Sequence, residues 1–349
     1  MSGQLTSPAA AAPAAIARPS GLTEAVAWGL IALGLAVLPS FGSVYVIYMA
    51  CLIAINVIAT VGLNLTVGYA GLLSIGHSAF LGVGAYASAL MWLHLGTPLA
   101  LNMLVGAVAA FAIGLVFGVP ALRIKGVYLA IATLAAQYSL YFVFQQWTSV
   151  TGGDRGLSLP KVDVFGLGDT GFYYAVALTA LLTAVAARNL FRTRIGRSFI
   201  AVREKDYAAE VLGINVVRTK LIAFGLGAAY AGIAGALLAA FLRIVNPDQF
   251  TLPVSVFFLA AVVVGGRGSI LGSILGAIFM TIMPEILRFI LEHMAGSGAD
   301  LARLLSPLRE IIFGGLIVAF LIFEPRGLVG FVERAFGRAE TVEARQSEH

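Results

Sequence analysis

Charge is what this sequence has least of. Only 11% of its 349 residues are charged, where a soluble protein carries about 25%. With 60% hydrophobic residues besides, most of the chain cannot be facing water. Cysteine is nearly missing too: Cys51 stands alone, so no disulfide within the chain can form. The motifs of phosphate and metal chemistry are absent. There is no GxxxxGK[ST] loop to cradle a nucleotide, no HExxH, no CxxC, and the four histidines are scattered. The stretch "GGRGSILG" has the glycines of a phosphate loop but not its lysine. The chain is therefore expected to be no enzyme and to hold no cofactor or metal of its own.

What is present is a series of apolar runs. They lie near 22–38, 44–62, 66–91, 100–120, 126–146, 172–188, 219–243, 253–266, 269–291 and 307–323. Most are long enough to cross a hydrocarbon core of about 30 Å as a helix. None shows the alternation in segments of about ten residues that a membrane barrel needs. The fold class is an all-α polytopic membrane protein with about ten transmembrane helices. The run 253–266, fourteen residues long with Pro253 at its start, is either a full crossing or a re-entrant piece.

The few charges orient this set. Between Arg188 and Lys220 lie eight basic residues against three acids, an excess as large as the whole chain's net charge of +5. Positive charge so concentrated beside apolar runs marks a cytoplasmic loop, here 189–218, rather than a nucleic-acid surface. Alternation then puts Arg123/Lys125, Arg267 and the Arg326–Arg338 tail inside, and 92–99, 147–171, 244–252 and 292–306 outside. Both termini fall inside. Residues 1–20, "MSGQLTSPAAAAPAAIARPS", lack the basic and apolar regions of a signal peptide and are expected to be a disordered cytoplasmic tail. Residues 21–325 form the membrane domain and 326–349 a second cytoplasmic tail.

The membrane interior is almost without ionisable groups. Glu285 and Arg288 interrupt one run at i,i+3 spacing, where they can pair near its outer end. An ion-coupled secondary transporter would keep functional charges within the bilayer, so this class is the weaker alternative. His77 and Ser78 adjoin, but an intramembrane hydrolase needs a base whose side chain reaches the nucleophile, and the other histidines lie near helix ends or in the tail.

Glycine carries the remaining signal. Gly268, Gly272 and Gly276 stand four apart and make a smooth helix face suited to close packing. A second such face runs through Gly225/Ala229, Ala228/Gly232 and Ala231/Gly235. The stretch "GYAGLLSIGHSAFLGVGAYASA", 68–89, differs: its glycines follow no single stripe, and polar residues are interleaved. It reads either as a broken helix lining a path, with Asn64, Ser74, Gly76, His77 and Ser78 on the path, or as a helix crowded by neighbours. "GLLSI" at 71–75 is faintly echoed by "GRGSI" at 266–270.

The segments "NLTVGYAGLLSIGHSAFLGVGAYASALM", "LRIKGVYLAIATLA", "TGGDRGL", "RTRIGRSFIAVREKDYAAEVLGINVVRTKLIAF" and "IFGGLIVAFLIFEPRGLVG" together resemble the LivM type of permease. These are membrane subunits of ATP-binding-cassette importers for branched-chain amino acids. The similarity runs in order from about Val57 to Gly330. Urea and short-chain amide permeases look alike at this level. The resemblance implies a permease of the vitamin-B12-importer-like type in a bacterial inner membrane. Its implied partners are a second, related permease, two cytoplasmic ATPases that use the ATP, and an extracytoplasmic solute-binding protein. It further implies that Tyr207-Ala208-Ala209, Glu210-Val211-Leu212 and Gly213 fill the frame of the coupling motif of importer permeases, with Tyr207 where the general motif has Glu. Gly213 is suited to end that helix in a left-handed conformation. Val211 and Leu212 would anchor the ATPase, with Arg203 and Lys205 at the rim. Thr151, Gly152 and Gly153 would lie where the binding protein docks, or form a turn ending a helix.

Overall fold

The structure, a computed structural model, describes residues 34, 39, 43–121, 126–161, 168–295, 311–315, 317–318, 322 and 327–330. The expected tail 1–20 and Arg123/Lys125 lie outside these residues, as do most of 22–38, 292–306, 307–323 and 326–349. The chain divides into two compact units, Met1–Gly42 and Ser43–His349. Of the first, only Gly34 and Pro39 are described, both helical.

In the second unit, α1 (Val44–Asn64) runs on through a π-helical turn, Leu65–Tyr69. Then follow α2 (His77–Leu95), α3 (Leu99–Ala121), α4 (Val127–Gln146) and α5 (Gly168–Arg192). Two short helices, α6 (Arg194–Glu204) and α7 (Asp206–Val211), lead to α8 (Val216–Leu242), α9 (Leu252–Gly265) and α10 (Ile270–Ala295), and the described residues after 310 are helical as well. A two-residue antiparallel pairing, Leu157–Ser158 with Ile244–Val245, ties the segment after α4 to the end of α8. Among the described residues, seven helical segments are long and apolar enough to cross a membrane: 44–69, 77–95, 99–119, 168–192, 216–242, 247–265 and 270–290.

α8 holds the bundle together because its small residues admit neighbouring backbones. A Cβ on Gly235 would overlap the Leu81 carbonyl of α2, and one on Gly232 would overlap the Gly106 carbonyl of α3. On another side, Gly227 faces Thr66 and the Gly62 carbonyl of α1. Lipid tails are as apolar as leucine, so helices associate in a bilayer through such close van der Waals approach rather than through a hydrophobic drive. Of the expected face of Gly268, Gly272 and Gly276, the last two behave alike, against the backbones of Gly265 and Ala261 in α9, whereas Gly268 lies before the helix at φ +78° and is no part of that face.

Two expectations need correction and one stands. The run 66–91 is not one helix: α1 extends to Tyr69, residues 70–76 are non-helical, and α2 begins at His77. The chain turns sharply at Gly71, whose φ of +69° suits glycine alone. The basic segment 189–218 is no open loop but is largely helical, through the end of α5, α6 and α7. The run 253–266 is a 14-residue helix with Pro253 in its first turn, preceded by a 3₁₀ turn at Pro247–Phe250.

Candidate functional site

The segment 70–76 doubles back along α1. The His77 Nε2–H donates to the Ala59 carbonyl at 2.9 Å, ten residues before Tyr69 and thus about 15 Å back up the helix. α2 therefore starts well inside the bundle, where its first N–H groups need partners that water cannot supply. Side chains of two other helices supply them. Ser78 N donates to Ser255 Oγ of α9 at 2.9 Å, and Ala79 N donates to Gln137 Oε1 of α4 at 2.9 Å. Gln137 Nε2 donates to the Phe250 carbonyl at 2.6 Å. The Ser78 hydroxyl lies 2.9 Å from Thr251 O and 3.0 Å from Gln137 Oε1. Ser78, Gln137 and Ser255 are all at most 1% exposed. Gly76 passes so close to α4 that a Cβ would overlap the Thr133 carbonyl, and Ile75 N donates to Thr133 Oγ1. Ser74 is buried beside them. His77 thus points to a backbone carbonyl and Ser78 to an amide and carbonyls. They form no nucleophile–base pair.

A second junction joins two helix breaks. Asn64, 1% exposed, donates from Nδ2 to Ser269 O (2.8 Å) and Ser273 Oγ (2.7 Å), and its Oδ1 accepts from Gly268 N (3.0 Å). One amide side chain in α1 thus secures the start of α10. Gly68, on the π-helical turn, has no room for a Cβ against Asn64. The Arg203 guanidinium comes from α6 and donates to the Gly68 carbonyl at 2.7 Å. Gly268, at φ +78°, passes the same guanidinium, and Gly327 packs onto Gly266 from the C-terminal side. Of the residues expected on a path, all five meet in these two junctions, packed against other helices of the same chain. Gln137, Ser255 and Thr133 were not singled out from sequence. Their signal is polar side chains within largely apolar helices, Thr133 and Gln137 four apart on α4 and Ser255 on α9.

At the basic end, α6 is capped by Thr193, whose Oγ1 accepts from Gly196 N. Its apolar face buries Phe199 and Val202 completely or nearly so. α7 follows after one extended residue, Lys205. It buries only Ala209, at 2% exposure, while Tyr207, Val211 and Leu212 stand 80%, 71% and 79% exposed. Ala208 is exposed as well. α7 is held to α8 by Lys220 Nζ, 2.6 Å from Asp206 Oδ2, a pair that is mostly buried. Gly213 ends the helix at φ +80°, the left-handed geometry its position called for. Arg203 stays exposed, as a rim residue would, while its guanidinium also donates to the Gly68 carbonyl.

At the other end, Thr151 is buried, and its hydroxyl lies 2.7 Å from Phe144 O and 2.8 Å from Trp147 O. Gly152 and Gly153 both take positive φ, so the segment is a turn that closes the region after α4. The exposed atoms there belong to Asp154 and Arg155. A cavity of ≈ 440 Å³ opens between the outer turns of α1, α5 and α8, walled by Ile47, Cys51, Phe172 and Phe241, with Asp169 and Arg243 on it. Glu285 and Arg288 pair at 2.8 Å as their spacing predicted, and Tyr45 Oη donates to the same carboxylate at 3.0 Å.

Residues 45–321 match the family model described as "Branched-chain amino acid transport system / permease component". The high-affinity branched-chain amino acid transport system permease protein LivM of Escherichia coli (strain K12) is 34% identical over 308 residues, covering 80% of this chain and 69% of that protein. The LivH permease protein of the same organism is 26% identical over 291 residues, covering 77% and 89%. A probable LivM permease of Methanocaldococcus jannaschii is 24% identical over 312 residues, covering 78% and 89%. No solved structure matches. The matched family is a different type from the vitamin-B12 importers, so that finer expectation is withdrawn and the polytopic helical permease stands.

Proposed function

The chain belongs to the family of permease components of branched-chain amino acid transport systems, and from that premise we propose that it pairs with a second, related permease to form the membrane path of an ATP-binding-cassette importer. It is a multi-pass inner-membrane protein, and its solutes are leucine, isoleucine and valine. Both LivM and LivH proteins of one organism are similar to this chain over most of its length, LivM the more so. That supports a heterodimer in which this chain is the LivM-like half.

One observation carries the motor reading. α7 turns Tyr207, Val211 and Leu212 outward at the basic end while Ala209 and the Lys220–Asp206 pair hold it to the bundle. An exposed apolar patch on a short, anchored helix fits a groove on a partner. We assign it, with Ala208 and Gly213, to docking of one of the importer's two ATPases, which use ATP on this chain's behalf. The chain itself has no nucleotide site and breaks no bond. Ten crossings follow if 127–146, 22–38 and 307–323 join the seven described segments, with both termini and α6–α7 in the cytoplasm. The turn built on Thr151, Gly152 and Gly153 presents Asp154 and Arg155 to the binding protein. The junctions of Asn64, Ser74, Gly76, His77 and Ser78 stand behind the wall of the path and let it move between access states.

The test is recovery of partners with the detergent-solubilised chain. Wild type should bring down two ATPases. Gly213→Arg, which forces a side chain into the left-handed conformation, should lose them. A wild-type chain recovered without any ATPase sinks the reading.

A further inference from the structure

The helix break leaves the Gly68 carbonyl without the donor a continuous helix would provide. Ala70 N goes to Leu65 O and Leu72 N to Thr66 O, so the chain has left the helical ladder where Gly68 would have been served. A buried carbonyl that has left the helical ladder needs another donor. Arg203 Nη1 is the replacement, at 2.7 Å. The same side chain touches both breaks. A Cβ on Gly268 would lie 2.8 Å from Nη1, and one on Gly71 would lie 3.1 Å from Arg203 Cγ. One turn earlier on α6, Phe199 is fully buried in a cluster with Ala70 and Leu72 of the non-helical segment and Leu129 and Ala223 of α4 and α8. α6 therefore grips the break at two points. Its other end of travel is α7, one extended residue away.

We propose that Arg203 is a positioning residue that ties α7 to the paired helix breaks at 68–76 and 266–269, so that displacement of α7 moves the wall of the path. This rests on the docking of ATPases at α7. Arg203 does not itself meet the ATPase. Its guanidinium serves as a mobile cap: if α6 shifts, the Gly68 carbonyl either follows or loses its donor, and Gly268 is carried by the same group. A rigid two-point link of this kind transmits motion without any charge crossing the membrane. It needs only that the two positions of α6 differ in free energy when nucleotide binds.

The experiment uses the complete importer, this chain with its second permease, ATPases and binding protein, in proteoliposomes supplied with radiolabelled leucine. Uptake per ATP hydrolysed is measured for wild type, Arg203→Gln and Arg203→Lys, alongside ATPase recovery and thermal stability. Arg203→Gln should keep both ATPases bound yet lower uptake per ATP at least tenfold, because hydrolysis continues without moving the break. Arg203→Lys, which keeps a charged donor, should restore part of that loss. Uptake per ATP within twofold of wild type in Arg203→Gln overturns the proposal. So does a parallel fall of uptake, hydrolysis and stability, which marks a purely structural residue. Loss of ATPases from Arg203→Gln overturns it too, since Arg203 would then be a docking contact. Failure of wild type to retain ATPases is read separately and defeats the docking reading first.

Discussion

Gln137 shows how one buried amide can serve several helices. Its Oε1 accepts from Ala79 N and lies near the hydroxyls of Ser78 and Ser255, and its Nε2 donates to the Phe250 carbonyl. Leucine at this position would leave the Ala79 N–H unpaired in a dry interior, at a cost of about 1–3 kcal/mol, while the Phe250 carbonyl would keep only the Ser78 hydroxyl at 3.2 Å. Gln137→Leu is expected to lower the melting temperature of the detergent-solubilised protein by several degrees; an unchanged melting curve would show that the network carries no stability. Gly76 is a steric case instead. Any Cβ there overlaps the Thr133 carbonyl, so Gly76→Leu should abolish the monodisperse folded species on size exclusion rather than merely slow transport.

Among the labelled helices, α7 is the shortest. Six residues are too few to hold a helix by propagation alone, and its only fully buried residue is Ala209. The Lys220–Asp206 pair anchors it, with side chains 10% and 24% exposed. Breaking a partly desolvated pair from one side strands the other charge. Lys220→Met is accordingly predicted to weaken ATPase binding by roughly tenfold, about 1.4 kcal/mol, as read by titration of purified ATPase onto the solubilised permease. Lys220→Arg should retain most of the affinity. Equal affinity in Lys220→Met and wild type would mean that α7 is held in place without the pair.

Among the described residues, the ion pairs involving membrane-spanning segments include Glu285–Arg288 in α10, partly exposed, and Lys220–Asp206 at the start of α8. The chain reconstituted alone in liposomes, under a sodium or proton gradient, is expected to accumulate no leucine. Uptake should appear only with the second permease, the ATPases, ATP and the binding protein. Gradient-driven uptake by the chain alone would return the secondary carrier to first place.

The sequence by itself determined the class. Sparse charge and repeated apolar runs dictate a helical membrane protein, and a basic excess confined to 188–220 marks the end where α6 and α7 lie. Four-residue glycine spacing foretold the packing of α10 on α9, and Gly213 foretold the end of α7. These are local properties, written in windows of a few to twenty residues. The partners of the polar residues were decided only by the fold. Nothing near Asn64 in sequence points to Ser269 and Ser273, about two hundred positions away. Hydropathy counts a glycine-rich stretch as one run, so it could not show that the helix stops at Tyr69 and restarts at His77. Nor could it show that Arg203, drawn from the most basic segment of the chain, donates to a carbonyl freed by that break. Burial without water forces each such group to find a partner, and which partner is a matter of three-dimensional proximity alone.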